Sequence, residues 1–324
     1  MTTETALPIY RQSEMDFMYQ LTKPPVEELV KALPSDRIIY ELDMAPLCTY
    51  RVGGKADLAV RPQSSEEAAL AISVLAQNGC KFEILGQGSN VLISDKGVRE
   101  PVIIATAMNT VALENGLLEA EAGTPCTKLA SAALKAGLSG LEFFHCLPGS
   151  VGGATYMNGR AFGQEVSGTI EWADVITPWG KLERRDLKPS DFSYKKSPFM
   201  EEDLMVVRAA FRLKPAPRDQ IRAAMEANEL HRRKKGEMDY PSCGCVFKNP
   251  RQSDRSAGAL IDACNLKGLR QGRAWVSDKH ANFIVHSGKV TAAQIRGLME
   301  KVRDTVYRRT GVRLDYEVRF LGDW

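Results

Sequence analysis

The chain has 324 residues, of which 44% are hydrophobic and 26% charged, and a net charge of +3. That length favours two or three compact units, and so small a charge excludes a dedicated nucleic-acid or membrane-surface binder. No apolar run is long enough to span a bilayer, no signal-like N-terminus is expected, and seven scattered cysteines suit a reducing, cytoplasmic setting rather than a disulfide framework.

Residues 1–43 read as an N-terminal extension with one short helix at 26–32. A βαβ-like pattern follows. It has a strand at 57–60, then a helix capped by Ser64 or Ser65, then a strand at 82–85. The helix turns Ala68, Ile72, Leu75 and Ala76 inward and stops at Gly79. Short strands are predicted at 91–93, 102–105 and 117–120. Thr124 and Pro125 open a helix that buries Leu129, Ala133 and Ala136 and ends at Gly137. A hairpin turns at Trp179-Gly180, and 206–213 reads as a strand. The charged helix 218–235 marks a shift in composition, so a domain boundary is placed near 216. Beyond it come a helix at 256–265, a strand at 283–286 and a helix at 291–308. The last has a capping box, Thr291 with Gln294, and an apolar face of Ile295, Leu298, Met299, Val302 and Val306. In the final run Leu314, Tyr316, Val318 and Phe320 alternate with Asp315, Glu317 and Arg319, which predicts a strand with Glu317 on its polar side.

Two glycine-rich loops stand out: Gly86-Gln87-Gly88-Ser89-Asn90 and Pro148-Gly149-Ser150-Val151-Gly152-Gly153. The first lies between two strands rather than at the opening of a long helix, so it is not a Rossmann fingerprint, and no Gly-Lys-Ser/Thr makes it a Walker loop. Each is either an ordinary turn or an anion-binding nest of backbone N–H groups, and two in one half of the chain favour the nest. The stretch Tyr240–Pro250 puts Cys245 behind Gly244 and ahead of Lys248 and Asn249. A thiol is mostly protonated at neutral pH, so Cys245 is either a small buried hydrophobe or a proton donor. Cys243 and Cys245 lack the paired spacing of a zinc site, and no metal is expected. The basic run 231–235 reads as cations suited to a helix C-terminus, with a diphosphate or NADPH contact as the alternative.

The segments Tyr50–Asp57, Leu85–Val91, Gly140–Phe143, Pro148–Ala154 with Met157-Asn158, Pro241–Pro250 and His280–Phe283 follow in an order that closely resembles the UDP-N-acetylenolpyruvoylglucosamine reductase (MurB) family, from about Tyr50 to the C-terminus. The resemblance is to the branch lacking an extra tyrosine-bearing loop over the substrate. It implies an α+β fold: an FAD-binding domain of two α/β subdomains (PCMH/vanillyl-alcohol-oxidase-like) over 44–215 and a C-terminal α+β substrate-binding domain over 216–324, whose last strand returns to the active site. It implies non-covalent FAD, NADPH as co-substrate and a nucleotide-sugar substrate, with neither nucleic acid nor membrane as partner, in a monomer of the cytoplasm.

Residue by residue, the resemblance places Gly86, Gln87, Gly88, Ser89 and Asn90 at the flavin pyrophosphate and Tyr50, Arg51 and Gly53 along the cofactor. It places Gly149, Ser150, Gly152 and Gly153 near the flavin phosphates or ring. Tyr194, Asn249, His280 and Asn282 fall on the substrate or NADPH side. The proton donor falls at Cys245, where the family usually has serine, and the C-terminal catalytic glutamate at Glu317. Lys195, where the family usually has arginine, is the cation for the substrate carboxylate, with Lys196 as its rival. The implied reaction reduces an enolpyruvyl ether to UDP-N-acetylmuramate in peptidoglycan precursor synthesis. A related FAD oxidoreductase with another substrate and a non-catalytic flavin or nucleotide-sugar binder are the alternatives.

Overall fold

The computed structural model describes residues 24–324. Its first sheet has four strands in the order Ile38–Asp43, Lys55–Val60, Val102–Ile104, Glu83–Leu85, with the first pair antiparallel and the others parallel. The helix Ser65–Gln77 covers it, capped by Ser64, whose hydroxyl accepts from the Glu67 N–H, and Ala68, Ile72, Leu75 and Ala76 are buried as the pattern requires. The helix Val26–Ala32 stands where the sequence placed one, and the strand Ile38–Asp43 follows it within the stretch read as an extension. Ile38–Asp43 pairs along its length with Lys55–Val60, and Leu29, Leu33 and Ile38 are packed in the core beneath the helix. Residues 1–23 lie outside the described residues.

The second sheet is antiparallel throughout, in the order Leu182–Asp186, Ile170–Ile176, Met205–Phe211, Leu117–Glu121, Val111–Glu114. The predicted hairpin at Trp179-Gly180 joins its first two strands. The helix Cys126–Ala136 packs Leu129 and Ala133 on this sheet, and Gly137 ends it in the left-handed region at φ 69°. The helix Arg218–Lys234 packs backward too, with Ile221 and Met225 in the same core as Leu118, Phe144 and Phe211. A highly charged helix thus docks through two apolar side chains.

The remaining unit has a three-stranded antiparallel sheet, Arg270–Gln271, Ala274–Val276 and Ile284–His286, with helices Ala257–Ala263 and Ala292–Thr310. Thr291 and Gln294 form the reciprocal capping box, and the five apolar side chains expected on that helix are all buried. Each contributes roughly 1.5–3 kcal/mol through removal from water. The terminal run is less regular than its alternation suggests. Only Arg319–Leu321 is a strand, and it pairs in parallel with Val91–Ile93 of the first unit. Before that, the tail is tied to 246–248 instead: Lys248 N–H donates to Asp315 O and Glu317 N–H to Val246 O, at 2.9 and 2.8 Å. One continuous core thus joins Tyr50, Leu92 and Ile93 to Val246, Phe247, Val302 and Leu321.

Candidate active site

Where the three units meet there is a cleft of about 1250 Å³. Both glycine loops line it, as do Tyr194, Lys195, Cys245, Asn249, Asn282 and Glu317. The loops are packed on one another. A Cβ on Gly86 would run into the Ser150 hydroxyl, and one on Gly149, already at φ 115°, would lie 2.5 Å from Ser89 Oγ. Two bare backbones facing each other on a cleft floor form a cradle that any side chain would fill, and this fits the diphosphate of FAD. Ser150 caps the short helix Val151–Tyr156 by accepting from the Gly153 N–H. Gly149→Ala is expected to fold with a local loss of about 1–3 kcal/mol and to purify with little flavin, measured as the flavin-to-protein absorbance ratio.

Asn90 links this floor to the C-terminal tail. Its side-chain amide donates to the Glu317 carbonyl and its own carbonyl accepts from the Arg319 N–H, both at 3.0 Å. Glu317 is thereby held on the cleft wall beside Lys195, and the two side chains make an ion pair at 2.5 Å with only 12% and 14% exposure. Lys195 sits in a tight turn closed by reciprocal Ser193–Lys196 backbone bonds and has φ 56°, a costly conformation for a side-chain-bearing residue. That turn aims Lys195 into the cleft and leaves Lys196 exposed, so geometry separates the two rivals.

Cys245 faces the same end of the cleft, its backbone bridged to Phe283. Burial, and then the Glu317 charge, push its thiol up to about 12, while Lys195 pulls the other way. A raised thiol pKa favours the neutral form, so Cys245 stays a proton carrier through the range where an ordinary thiol ionises. Its alkylation by iodoacetamide, followed peptide by peptide in a mass spectrometer, should keep rising about tenfold per pH unit from roughly pH 8 to 11 instead of levelling near 9. Cys243 is wholly buried beside Tyr50 and also pushed up to about 12, which leaves Cys245 as the accessible member of the pair.

Other expected residues are placed differently. Tyr50, Arg51 and Gly53 do not line the cleft. The Tyr50 ring is fully buried, stacked on His286, with its hydroxyl donating to the Ile284 carbonyl at 3.0 Å, so it braces the shared core. Arg51 is exposed, and Gly53 backs onto Ile93. Asn282 spends its amide on Phe247, accepting from the N–H at 3.0 Å and donating to the carbonyl at 2.8 Å, which fixes the segment carrying Cys245. Asn249 Oδ1 accepts from Ala257 N–H, while its own N–H donates to the Tyr194 hydroxyl. His280 is off the wall, with Nε2 4.0 Å from Glu237.

The residue that the sequence did not single out is Glu237, which pairs with Arg232 of the basic run. Arg232 is buried, donates to the Cys146 carbonyl and pairs with Glu237 at 2.9 Å, and both line the cleft. The helix C-terminus account of the basic run therefore does not extend to Arg232. A lone arginine within a run of cations carries no sequence signal of burial.

Residues 236–321 match the family described as UDP-N-acetylenolpyruvoylglucosamine reductase, C-terminal domain, and residues 56–185 match the FAD binding domain. The UDP-N-acetylenolpyruvoylglucosamine reductase of Clostridium novyi (strain NT) is 37% identical over 297 residues, covering 92% of this chain and 96% of that protein. The corresponding protein of Carboxydothermus hydrogenoformans is 37% identical over 298 residues, 92% of this chain and 98% of its own. The crystal structure of UDP-N-acetylenolpyruvylglucosamine reductase (MurB) from Thermus caldophilus superposes with a TM-score of 0.73 at 32% identity, covering 88% of this chain and 98% of that one. Similarity of this extent along nearly the whole length of both partners establishes that the chain belongs to the UDP-N-acetylenolpyruvoylglucosamine reductase family.

Proposed function

We propose that this chain is an FAD-dependent, NADPH-consuming reductase that converts UDP-N-acetylglucosamine-enolpyruvate to UDP-N-acetylmuramate, and that Cys245, Lys195 and Glu317 act on the enolpyruvyl group. The observation that carries the residue roles is the meeting of the Cys245 thiol with the half-buried Lys195–Glu317 pair in a glycine-floored cleft. FAD held on the backbone of 86–90 and 149–153 would supply the hydride chemistry that links NADPH to the enol ether.

The chain's own groups do the rest. The backbone of 86–90 and 149–153 would hold the diphosphate of the cofactor. Lys195 would meet the substrate carboxylate and stabilise the negative charge that spreads into it as the carbon is reduced. Cys245 would protonate the adjacent carbon from the opposite side. Glu317, fixed by Asn90, would keep Lys195 aimed at the cleft and contact the reacting group once the substrate carboxylate competes for the ammonium. Asn282 would act through Cys245, by holding its segment, and Tyr194 and Asn249 would frame the sugar side.

The folding units suggest a division of labour in which the first two sheets and the helix Arg218–Lys234 hold the cofactor, while 236–321 holds the substrate. Among the described residues no helix is long and apolar enough to cross a membrane, which accords with a cytoplasmic enzyme. A monomer suffices, since the proposed groups all come from one chain. Purified protein should be yellow and should bleach when NADPH is added without oxygen. Colourless protein that takes up no added FAD would overturn this reading.

A further inference from the structure

We infer that Tyr316 is a positioning residue for the reductive step: its ring, clasped between Phe247 and Arg303, sets the spacing between the Cys245 segment and Glu317. The inference rests on the roles proposed above for Cys245 and Glu317 and extends them to a side chain that does not line the cleft.

Cys245 and Glu317 arrive on different stretches of chain, and the two stretches meet at one pair of rings. Phe247 and Tyr316 are antiparallel bridge partners. Around them the Lys248 N–H donates to the Asp315 carbonyl and the Glu317 N–H to the Val246 carbonyl, which fixes the register. Side chains directly opposite one another interact across such a pair. Here the two rings stack, with centroids 5.3 Å apart and planes 24° from parallel. Each ring neighbours a working residue. Phe247 lies just beyond Cys245, whose own backbone is bridged to Phe283, and Tyr316 immediately precedes Glu317. The stack therefore fixes how far apart the thiol and the carboxylate are held.

The helix Ala292–Thr310 closes the clasp. Arg296 and Arg303 stand about two turns apart on it and so share a face. The Arg303 guanidinium lies 5.1 Å from the centre of the Tyr316 ring, and that of Arg296 lies 5.2 and 4.8 Å from Phe320 and Trp324. A cation at this distance from an aromatic ring is attracted to its face. Phe320 meets Tyr316 and Trp324 edge to face at 4.9 and 5.5 Å, a favoured arrangement. The tail is thus gripped along its length, and Tyr316 is the ring that joins it to the Cys245 segment. The Tyr316 hydroxyl, shut off from solvent, makes no hydrogen bond among the described residues. The ring, not the hydroxyl, does the holding.

The test uses the full chain and reads the placement of Glu317 without turnover. Burial, and then the Glu317 charge, hold the Cys245 thiol in its protonated form. Glu317→Gln should therefore speed alkylation of Cys245 by iodoacetamide near pH 8 by about tenfold, the effect of one unit in thiol pKa. Tyr316→Leu frees the carboxylate to drift and should speed it by about threefold on the same scale. Tyr316→Phe should match wild type. The double variant Tyr316→Leu/Glu317→Gln should be no faster than Glu317→Gln alone, because the ring acts through the carboxylate. Wild-type reactivity in Tyr316→Leu would overturn the inference, as would multiplication of the two effects in the double variant, the mark of loosened packing. In stopped flow, Tyr316→Leu should slow flavin reoxidation by the nucleotide sugar by about tenfold, the scale of a sub-ångström misplacement, and leave flavin reduction by NADPH unchanged. Equal slowing of both steps would also overturn it. A wild-type chain whose reduced flavin the nucleotide sugar does not reoxidise would overturn the reductase reading instead, and the alkylation series would still decide the positioning.

Discussion

Cys245→Ala is expected to reduce its flavin with NADPH at the wild-type rate and then to stall. Reoxidation by the enolpyruvyl nucleotide sugar should fall by about 10²–10⁴, the usual worth of a positioned general acid. The split follows from geometry, because Cys245 lies beside Lys195 and Glu317 and is not part of the 86–90 and 149–153 backbone that would grip the cofactor. Cys245→Ser keeps a neutral hydroxyl at the same place and should retain measurable turnover. The raised thiol also gives the pH dependence its sign. A group pushed up to about 12 remains a donor on the alkaline side of neutrality, so wild-type turnover should not decline between roughly pH 7 and 9 through loss of this proton. Stopped-flow absorbance measures the two half-reactions apart. Equal slowing of both in Cys245→Ala would mean that the thiol serves packing rather than proton transfer.

Lys195→Ala is expected to lower the rate of the second half-reaction by about 10²–10³, as for removal of a preorganised electrostatic group. It should also destabilise the fold, because Glu317 at 12% exposure would lose its cation. Truncating one partner of a buried pair costs about 3–5 kcal/mol at most, and partial exposure puts this case toward the lower end. The two effects separate in the double variant Lys195→Ala/Glu317→Gln. It removes the stranded carboxylate, so urea midpoints should recover while turnover stays low. Lys195→Arg keeps the charge and should keep much of the rate. An unchanged rate in Lys195→Ala would remove Lys195 from the chemistry altogether.

Much of the architecture was legible because local rules agreed with one another. Ser64 ahead of an apolar face, Thr291 with Gln294 and Gly137 at a helix end each announced an element that the fold contains. The strand Ile38–Asp43 escaped because it has little alternation: Tyr40 and Glu41 are exposed, and it is a strand only through its pairing with Lys55–Val60. The packing of the helix Arg218–Lys234 against the second sheet was not legible, because sequence shows which residues are apolar but not what they touch. At the site, motif resemblance pointed to both glycine loops, Lys195, Cys245 and Glu317, and the fold gathers all of these on one cleft. It did not distinguish residues that face the cleft from those that brace it. Tyr50 belongs with the latter, as its bond to Ile284 shows, while Asn282 does both, lining the cleft with its amide committed to Phe247. The ion pair between Lys195 and Glu317, far apart in sequence, has no local signature.

The central claim is that electrons and a proton reach the enol ether from opposite sides of one cleft. Its most direct test is a single turnover of the anaerobically reduced full chain. NADPH is removed, the enolpyruvyl nucleotide sugar is added in heavy water, and the flavin and the product are both followed. The account predicts stoichiometric return of oxidised flavin and one solvent deuteron on the carbon bearing the carboxylate, with no reoxidation by simple enol ethers. A flavin that stays reduced in the presence of the nucleotide sugar would contradict it.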